Sequence, residues 1–575
     1  MPRYRLTFSQ PHAHLVDVEA RFDDLAGDAA LLRMAAWTPG SYLIRDYARH
    51  VQDLACFDAE NRPLAVEKVE KAAWRVALGG ARAVIVRYRV YAWELTVRTS
   101  HVDASHAFVN GAPTFLWLEE QRDEPHAVVV EAAPGWRVVT ALRGEDGSFV
   151  ARDLDELIDS PIHAGAGPVL ELEAGGKPCQ VAVWGRPDPG AATLDDLAGD
   201  LRRIVGEQAR LFGGLPYDRY VFMFLVAAGA RGGLEHKAST AILASPYHFA
   251  ARRKYEELLE VASHEFFHLW NVKRIRPRAL GPFDYGRENY TRALWVAEGL
   301  TSYYDRLVLR RTRIVTIKRY LEKLAEEWGQ LLATPGRGKQ SLEESSFDAW
   351  IKHYRPDENS GNSTISYYLK GSLVCLALDL EIRRRTRGGR SLDDVVRHLW
   401  RAFGEPGRGY GDDDVQREAE RAVELELGDF FDRFVRGRED PDLASELAAC
   451  GYALRAKKPE EDDRNGAWLG VGTKTEVGRL VVQSVPTGSP AELAGVYAGD
   501  EIVAVDGFRV DEKTLAERLA ARRPGAAARL TLFRRDVETH VDVTLGDRPP
   551  VWEIVAADGA TDDDKARGRA WLGEE

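Results

Sequence analysis

The sequence predicts a multidomain α+β protein. It reads as a β-rich N-terminal domain over residues 1–180, an α/β part leading into a helical bundle over 181–456, a small mixed module over 467–550, and a charged segment over 551–575. Three observations carry this reading. Short alternating segments separated by turn clusters fill the first third. Helical periodicity begins near residue 193 and dominates from about 252 to 450. A charged stretch at 457–466 (KKPEEDDRNG) then breaks the composition before strand-like runs resume. A chain of 575 residues is too long for one hydrophobic core, so several domains are expected.

In the first region, residues 3–8 (RYRLTF), 81–90 (ARAVIVRYRV) and 127–132 (AVVVEA) alternate, and Pro39-Gly40-Ser41 and Glu145-Asp146-Gly147 mark turns. This spacing suggests an antiparallel, sandwich-like domain. Thr193 with Asp196 forms a capping box, followed by Leu194, Leu197, Leu201 and Ile204 at helical spacing. Residues 220–230 (YVFMFLVAAGA) return to a buried-strand pattern. Arg383, Arg384, Arg385 and Arg387 precede Gly388-Gly389, which reads as a helix C-terminus whose cations complement the dipole, with glycine as the cap. Ser391 and Asp394 restart a helix. The last twenty or so residues, charged and rich in Ala and Gly, suggest a poorly ordered tail.

Composition excludes several functions. With 78 basic and 90 acidic residues the net charge is −12, which speaks against nucleic acid and gives no attraction to an anionic membrane. No apolar run is long enough to span a bilayer. Cys56, Cys179, Cys375 and Cys450 are isolated, so reduced thiols are expected rather than disulfides. The opening MPRYRLTFSQ shows no apolar signal core, and the cytoplasm is the expected location.

The chemistry centres on His264-Glu265-Phe266-Phe267-His268. Residues four apart share a helix face, so both imidazoles reach one ion, and Glu265 sits beside them as a base for water. Leu258, Leu259, Val261, Ala262, Phe266, Phe267 and Leu269 make the surrounding helix apolar all round, hence buried. Zinc in a hydrolase takes three protein ligands and keeps one position open. Glu298, in 295–304 (WVAEGLTSYY), is the preferred third ligand because that segment reads as a second buried helix. Glu288 competes by spacing, but its surroundings look like a loop. One Zn2+ ion is expected, although cobalt or manganese also suits such ligands.

The segments around His264 and Glu298 resemble the gluzincin aminopeptidases, whose third-ligand segment has the form W-x-x-E-G. Further matches are similar to the glycyl aminopeptidase family that carries a PDZ domain. Gly232-Gly233-Leu234-Glu235-His236 resembles the Gly-x-x-Glu motif. That resemblance implies that the strand holds substrate backbone, Glu235 binds the free α-amino group, and His236 neighbours the site. Tyr367-Tyr368-Leu369-Lys370-Gly371 resembles Tyr-x-Lys-Gly, implying Tyr368 as oxyanion donor with Tyr367 as the alternative. Residues 37–42 (WTPGSY) with Arg45-Asp46-Tyr47 resemble the signature of the family's N-terminal domain. His353 is a further candidate near the cleft, and the remaining histidines show no ligand spacing.

The resemblance implies a thermolysin-like α/β plus helical-bundle catalytic domain. It also implies zinc-dependent removal of N-terminal residues, Gly and Ala preferred, from peptides with a free N-terminus. Residues 468–472 (WLGVG), 488–491 (GSPA) and 498–502 (AGDEI) resemble a PDZ domain, with Leu469, Gly470 and Val471 as the loop that caps a peptide or protein C-terminus. Packing of this module against the catalytic domain is the alternative. The competing functions are a zinc endopeptidase, which a fixed Glu235 disfavours, and a non-catalytic PDZ-bearing scaffold.

Overall fold

The structure, a computed structural model, describes residues 1–458 and 466–574; the linker expected at 457–466 lies mostly outside the described residues. The chain forms two compact units. The first comprises Met1–Thr291, Tyr304–Val315 and Asp393–Ala422; the second comprises Arg292–Tyr303, Thr316–Leu392 and Val423–Glu575.

The first unit begins with β structure. Arg3–Thr7 lies between Leu15–Phe22, antiparallel, and His126–Glu131, parallel, inside an eight-stranded sheet. The parallel pair departs from the all-antiparallel expectation. Alternation reports which face is buried but not the direction of the neighbouring strand. Two four-stranded sheets complete this part, one of them ordered Arg137–Thr140, Ile162–Gly165, His106–Val109, His101–Val102.

A five-stranded sheet follows, ordered Val169–Ala174, Lys177–Gly185, Tyr220–Val226, Ser239–Ala244, Gly232–Glu235. The boundary drawn at residue 180 therefore falls inside a strand. The polar alternation of this first hairpin resembles that of the preceding domain, so composition does not change where the sheet does. Tyr220–Val226 is buried at every position, as a central parallel strand is. Helix Leu194–Phe212 carries the expected Thr193–Asp196 capping box. The helix Arg252–Phe267 packs against the sheet through Phe266, whose ring meets Tyr220 and Phe222 at 4.8 and 5.7 Å.

The second unit is helical, then β. Leu369–Arg385 is buried on nearly all sides. Its terminal arginines are ion-paired rather than merely facing the dipole: Arg383 with Asp379, Arg384 with Glu446, Arg385 with Glu381. Thr386, not glycine, follows the last turn, and Gly388 at φ +85° donates its N–H to the Arg383 carbonyl. The C-terminal module is a sheet ordered Gly472–Glu476, Arg479–Ser484, Glu501–Val505, Ala527–Arg534, Val537–Thr544, with helices Pro490–Ala494 and Glu512–Ala520.

The expectation of a poorly ordered tail is wrong. Trp552–Ala556 pairs with Tyr452–Ala456, and Asp562–Leu572 is a helix capped by Thr561 and Asp564. Trp571 is fully buried against Tyr320 and Tyr452. The charges of this segment lie on its outer face, so composition alone hid its buried apolar residues, Trp571 and Leu572.

Candidate active site

Helix Arg252–Phe267 ends in the histidine motif. His264 lies within its last turn and His268 is the C-cap, still in helical conformation. The two rings stand 4.6 Å apart at 85°. His264 Nδ1 faces Asp305 Oδ2 at 2.9 Å, and His268 Nδ1 donates to the Asn271 carbonyl at 2.7 Å. With both Nδ1 atoms used as donors, Nε2 is the nitrogen of each ring that could ligate an ion, a tautomer assigned from these partners. Burial holds the Asp305 carboxyl above its usual range, against the opposing pull of Arg306 and His264. Two neutral imidazoles backed in this way are a donor set that fits zinc.

Glu265, buried, lies under the strand Gly232–Glu235. A β-carbon on Gly233 would stand 2.1 Å from Glu265 Oε1, so only glycine lets the strand pass this close. That strand is an edge of its sheet, paired on one side with Ser239–Ala244. Its outer edge offers backbone groups to an extended peptide. One ligand-type atom from each of Glu235, Glu265 and His268 lies within 4.8 Å of the others, so three predicted residues form one polar centre. Glu235 is 4% exposed, and its Oε1 accepts no hydrogen bond from the described residues. A buried carboxylate oxygen without a donor is costly unless a ligand supplies one.

A charged network supports Glu235 from behind. His236, fully buried, joins no metal-competent group among the described residues; its Nδ1 faces Asp159 Oδ1 at 3.2 Å. Asp159 also accepts from Lys237 N at 2.8 Å and pairs with Lys273 Nζ at 2.7 Å. Burial alone would raise the Asp159 carboxyl, but Lys273 and His236 overcome it and hold it well below the usual carboxylate range. Burial would likewise lower Lys273, but Asp159 and Glu235 raise its ammonium above normal. A cavity of about 970 Å³, lined by Gly40, Tyr42, Asp159, Glu235, Lys273 and Arg276 among others, opens beside this network.

In the second unit, Glu298 is buried on the π-helical turn Trp295–Leu300, which continues as helix Thr301–Arg311. Such turns recur at functional sites. Gly299 meets Gly371 at the start of Leu369–Arg385; a β-carbon on Gly299 would stand 2.6 Å from the Gly371 α-carbon. The glycines of W-x-x-E-G and of Tyr-x-Lys-Gly thus exist for each other, letting two backbones touch. Lys370 anchors the second motif by donating to the Arg438 carbonyl at 3.0 Å.

Tyr368 sits just before this helix. Burial raises its phenol well above normal, and the Glu298 charge adds to it, so the hydroxyl stays a donor at neutral pH. Its ring stacks on His353 at 5.4 Å. Tyr367 is fully buried beside both rings. Glu288 is half-buried in a loop and joins no metal-competent group among the described residues.

In the C-terminal module, Leu469 is buried and accepts from Ala491 N at 2.9 Å, Gly470 has φ +77°, and Val471 packs on the core. The adjoining strand Gly472–Glu476 is a sheet edge. Asn362 ties the module to the helical part, donating to the Val485 carbonyl and accepting from Thr487 N.

Sequence reading missed Asp305, Asn271, Asp159, Lys273 and the contact of Gly40 with Glu235. Asp305 lies seven residues after Glu298, and that helical interval was its one available signal. The others come from loops whose positions no local pattern reports.

Residues 3–166 match the peptidase M61 N-terminal domain, 257–374 the M61 glycyl aminopeptidase domain, and 467–545 a PDZ domain. A solved structure from Idiomarina loihiensis, described as an aminopeptidase N family protein, is 30% identical, covers 100% of both chains and has a TM-score of 0.93. An M1 zinc metallopeptidase from Deinococcus radiodurans is 16% identical over 77% of this chain and 94% of its own, with a TM-score of 0.48. A probable periplasmic serine endoprotease, DegP-like, from Rhizobium meliloti (strain 1021) is 38% identical over 96 residues, 14% of this chain and 19% of that protein. The chain thus spans about a fifth of the length of the curated relatives it matches. Fold and catalytic region together define a metallo-aminopeptidase of the gluzincin class. More specifically, the chain belongs to the peptidase M61 family, the glycyl aminopeptidases, and carries a PDZ domain.

Proposed function

We propose that this protein releases N-terminal residues, glycine and alanine preferentially, from peptides with a free N-terminus, and that His264, His268 and Glu298 hold one zinc ion. The observation that carries the exopeptidase reading is the buried Glu235 oxygen that lacks a donor, within 4.8 Å of Glu265 and His268. A substrate α-ammonium supplies that donor, and anchoring it there sets the first peptide bond beside Glu265. The preference for small residues rests on the family alone.

Glu298 as third ligand is supported by its burial and by its place two turns before Asp305 on one helix. Zinc held there would supply the Lewis acidity that activates water near neutral pH. Glu265 takes a proton from the attacking water at its carboxylate and passes it to the leaving amine nitrogen. The edge strand Gly232–Glu235 orients the substrate backbone. Tyr368 donates its O–H to the oxygen on which negative charge develops, a bond stronger in the transition state than in the ground state.

The test is a panel of aminoacyl-anilides, glycyl and alanyl first, on wild type and Glu265→Gln with measured zinc content. Wild type releases anilide; Glu265→Gln keeps its zinc and loses about 10²–10⁴ in rate. Glu298→Gln loses zinc while Glu288→Gln keeps it. No release from any anilide by zinc-loaded wild type would overturn the aminopeptidase reading.

For the PDZ domain we infer capture of peptide or protein C-termini by the Leu469-Gly470-Val471 loop and the adjacent edge strand. Peptides that bind with a free carboxylate and fail when amidated support this; equal binding of both forms leaves the Asn362 contacts as the module's role. Four buried free thiols support a reducing compartment, the cytoplasm. No described helix is long and apolar enough to cross a membrane.

A further inference from the structure

The N-terminal β region holds a second group of metal-competent side chains. His101–Val102 and His106–Val109 form a hairpin closed by the turn Asp103-Ala104-Ser105. His101 pairs with Phe108, and Phe108 pairs with His163 on the next strand. His106 is two residues before Phe108. Period-two alternation therefore sets His101, His106 and His163 on one face of the sheet. Gly165 pairs directly with His106 and leaves the imidazoles room: a β-carbon there would stand 3.2 Å from His106 Cβ and 3.3 Å from His163 Nε2.

The turn is braced. Asp103 Oδ1 accepts from Ser105 N at 2.7 Å, Ser105 Oγ at 2.6 Å and His106 N at 3.1 Å, and lies 3.3 Å from His106 Nδ1. Trp184 donates its indole N–H to Ser105 Oγ at 2.9 Å and stacks on His106 at 3.7 Å. Trp93 stacks on His101 at 5.2 Å. The turn thus sets the Asp103 carboxylate beside one ring nitrogen of His106, Nδ1.

That other nitrogen, His106 Nε2, faces His101 Nδ1 at 3.3 Å. Two nitrogens bound to one tetrahedral zinc at about 2.0–2.1 Å stand about 3.3 Å apart. One atom each from His101, Asp103 and His106 lies within 4.8 Å of the others. His163 adds a buried imidazole whose Nδ1 has no hydrogen-bond partner among the described residues. A cavity of about 650 Å³ lined by Trp93, His101, Asp103, Pro113 and Trp184 gives an ion a way in.

We propose that His101, His106 and Asp103 bind a divalent first-row transition metal, zinc above all, at a site separate from His264 and His268. Imidazole and carboxylate donors suit zinc, and a three-ligand set leaves an open position toward the cavity. The site ties the hairpin to the sheet and does not depend on the peptidase reading.

The test is metal stoichiometry on the full chain, stripped with chelator, reloaded with zinc, desalted and assayed for bound zinc. Wild type is expected to hold two equivalents, while His101→Gln, Asp103→Asn and His264→Gln each hold one. His101→Gln and Asp103→Asn keep anilide hydrolysis, and their circular dichroism verifies the fold. Reloading with cobalt halves the visible absorption in the same two variants. One equivalent in wild type, removed by His264→Gln alone, overturns the proposal and leaves a stacked histidine–tryptophan cluster. Two equivalents retained in both hairpin variants overturn it equally. One equivalent in wild type, kept by His264→Gln and removed by the hairpin variants, would count against the catalytic metal instead, so the two readings fail separately.

Discussion

Gly40 lies against the carboxylate of Glu235: a β-carbon at Gly40 would stand 2.5 Å from Oε2 and 2.6 Å from Oε1. Its φ of +86° is also one that L side chains adopt only with strain. The N-terminal signature WTPGSY therefore shapes the Glu235 end of the site. Gly40→Ala is expected to raise KM for glycyl-anilide at least tenfold while zinc content stays at the wild-type value. An unchanged KM would show that Glu235 moves aside freely.

Asp305 orients His264 through its Nδ1. Asp305→Asn leaves the ring packed but weakens its basicity, and zinc affinity is expected to fall about 10–100-fold. Competition with a chelator of known affinity measures this. Equal affinity would mean that the Asp305 contact is structural only.

Tyr368 and Tyr367 are separated by one substitution each. Tyr368→Phe is expected to lower kcat by about 10²–10³ with little change in KM, as loss of an oxyanion donor does. Tyr367→Phe, a buried packing residue, should act on melting temperature rather than on kcat. The reverse pattern would transfer the role to Tyr367.

The Asp159–Lys273 pair makes a pH-dependent contribution. Asp159 is held below its usual range, so its pairing stabilises the fold above the unfolded value of about 3.9 and fades as pH falls through the lower folded value. Lys273 is raised, so its share is complete below about 10.4 and fades as pH climbs through the higher folded value. Lys273→Met strands a buried carboxylate and is expected to cost about 3–5 kcal/mol at pH 7. In urea melts, the gap from wild type should narrow as pH falls, because the stranded Asp159 of the variant takes up a proton before the paired one does. A gap independent of pH would contradict an ionic origin.

Trp571 donates to Tyr303 Oη at 3.1 Å, and Tyr303 donates to Asp379 Oδ2 at 2.6 Å. Trp571→Ala should cost about 3–5 kcal/mol through the cavity it leaves. Trp571→Phe keeps most of the packing and should cost about 1 kcal/mol through the lost hydrogen bond. Thermal melts of the two variants check the order. Equal losses would assign the whole effect to the hydrogen bond.

The sequence by itself picked out the candidate catalytic side chains, because their spacing is local. Residues four apart on a helix share a face whatever the helix packs against, so His264, Glu265 and His268 were legible before any fold was known. The capping box at Thr193, the buried strand at 220–226 and the outline of the PDZ domain are local in the same sense. Tertiary structure decided what surrounds them. Asp305, Asp159 and Gly40 reach His264, His236 and Glu235 from segments about 40 to 200 residues away, and such juxtaposition is not reported by local spacing. The same holds for the parallel pairing of Arg3–Thr7 with His126–Glu131, the anchoring of the charged C-terminal segment by Trp571, and the meeting of His101 with His106 across a hairpin. Burial acts on faces and hydrogen bonds on register; the fold alone brings either to distant residues.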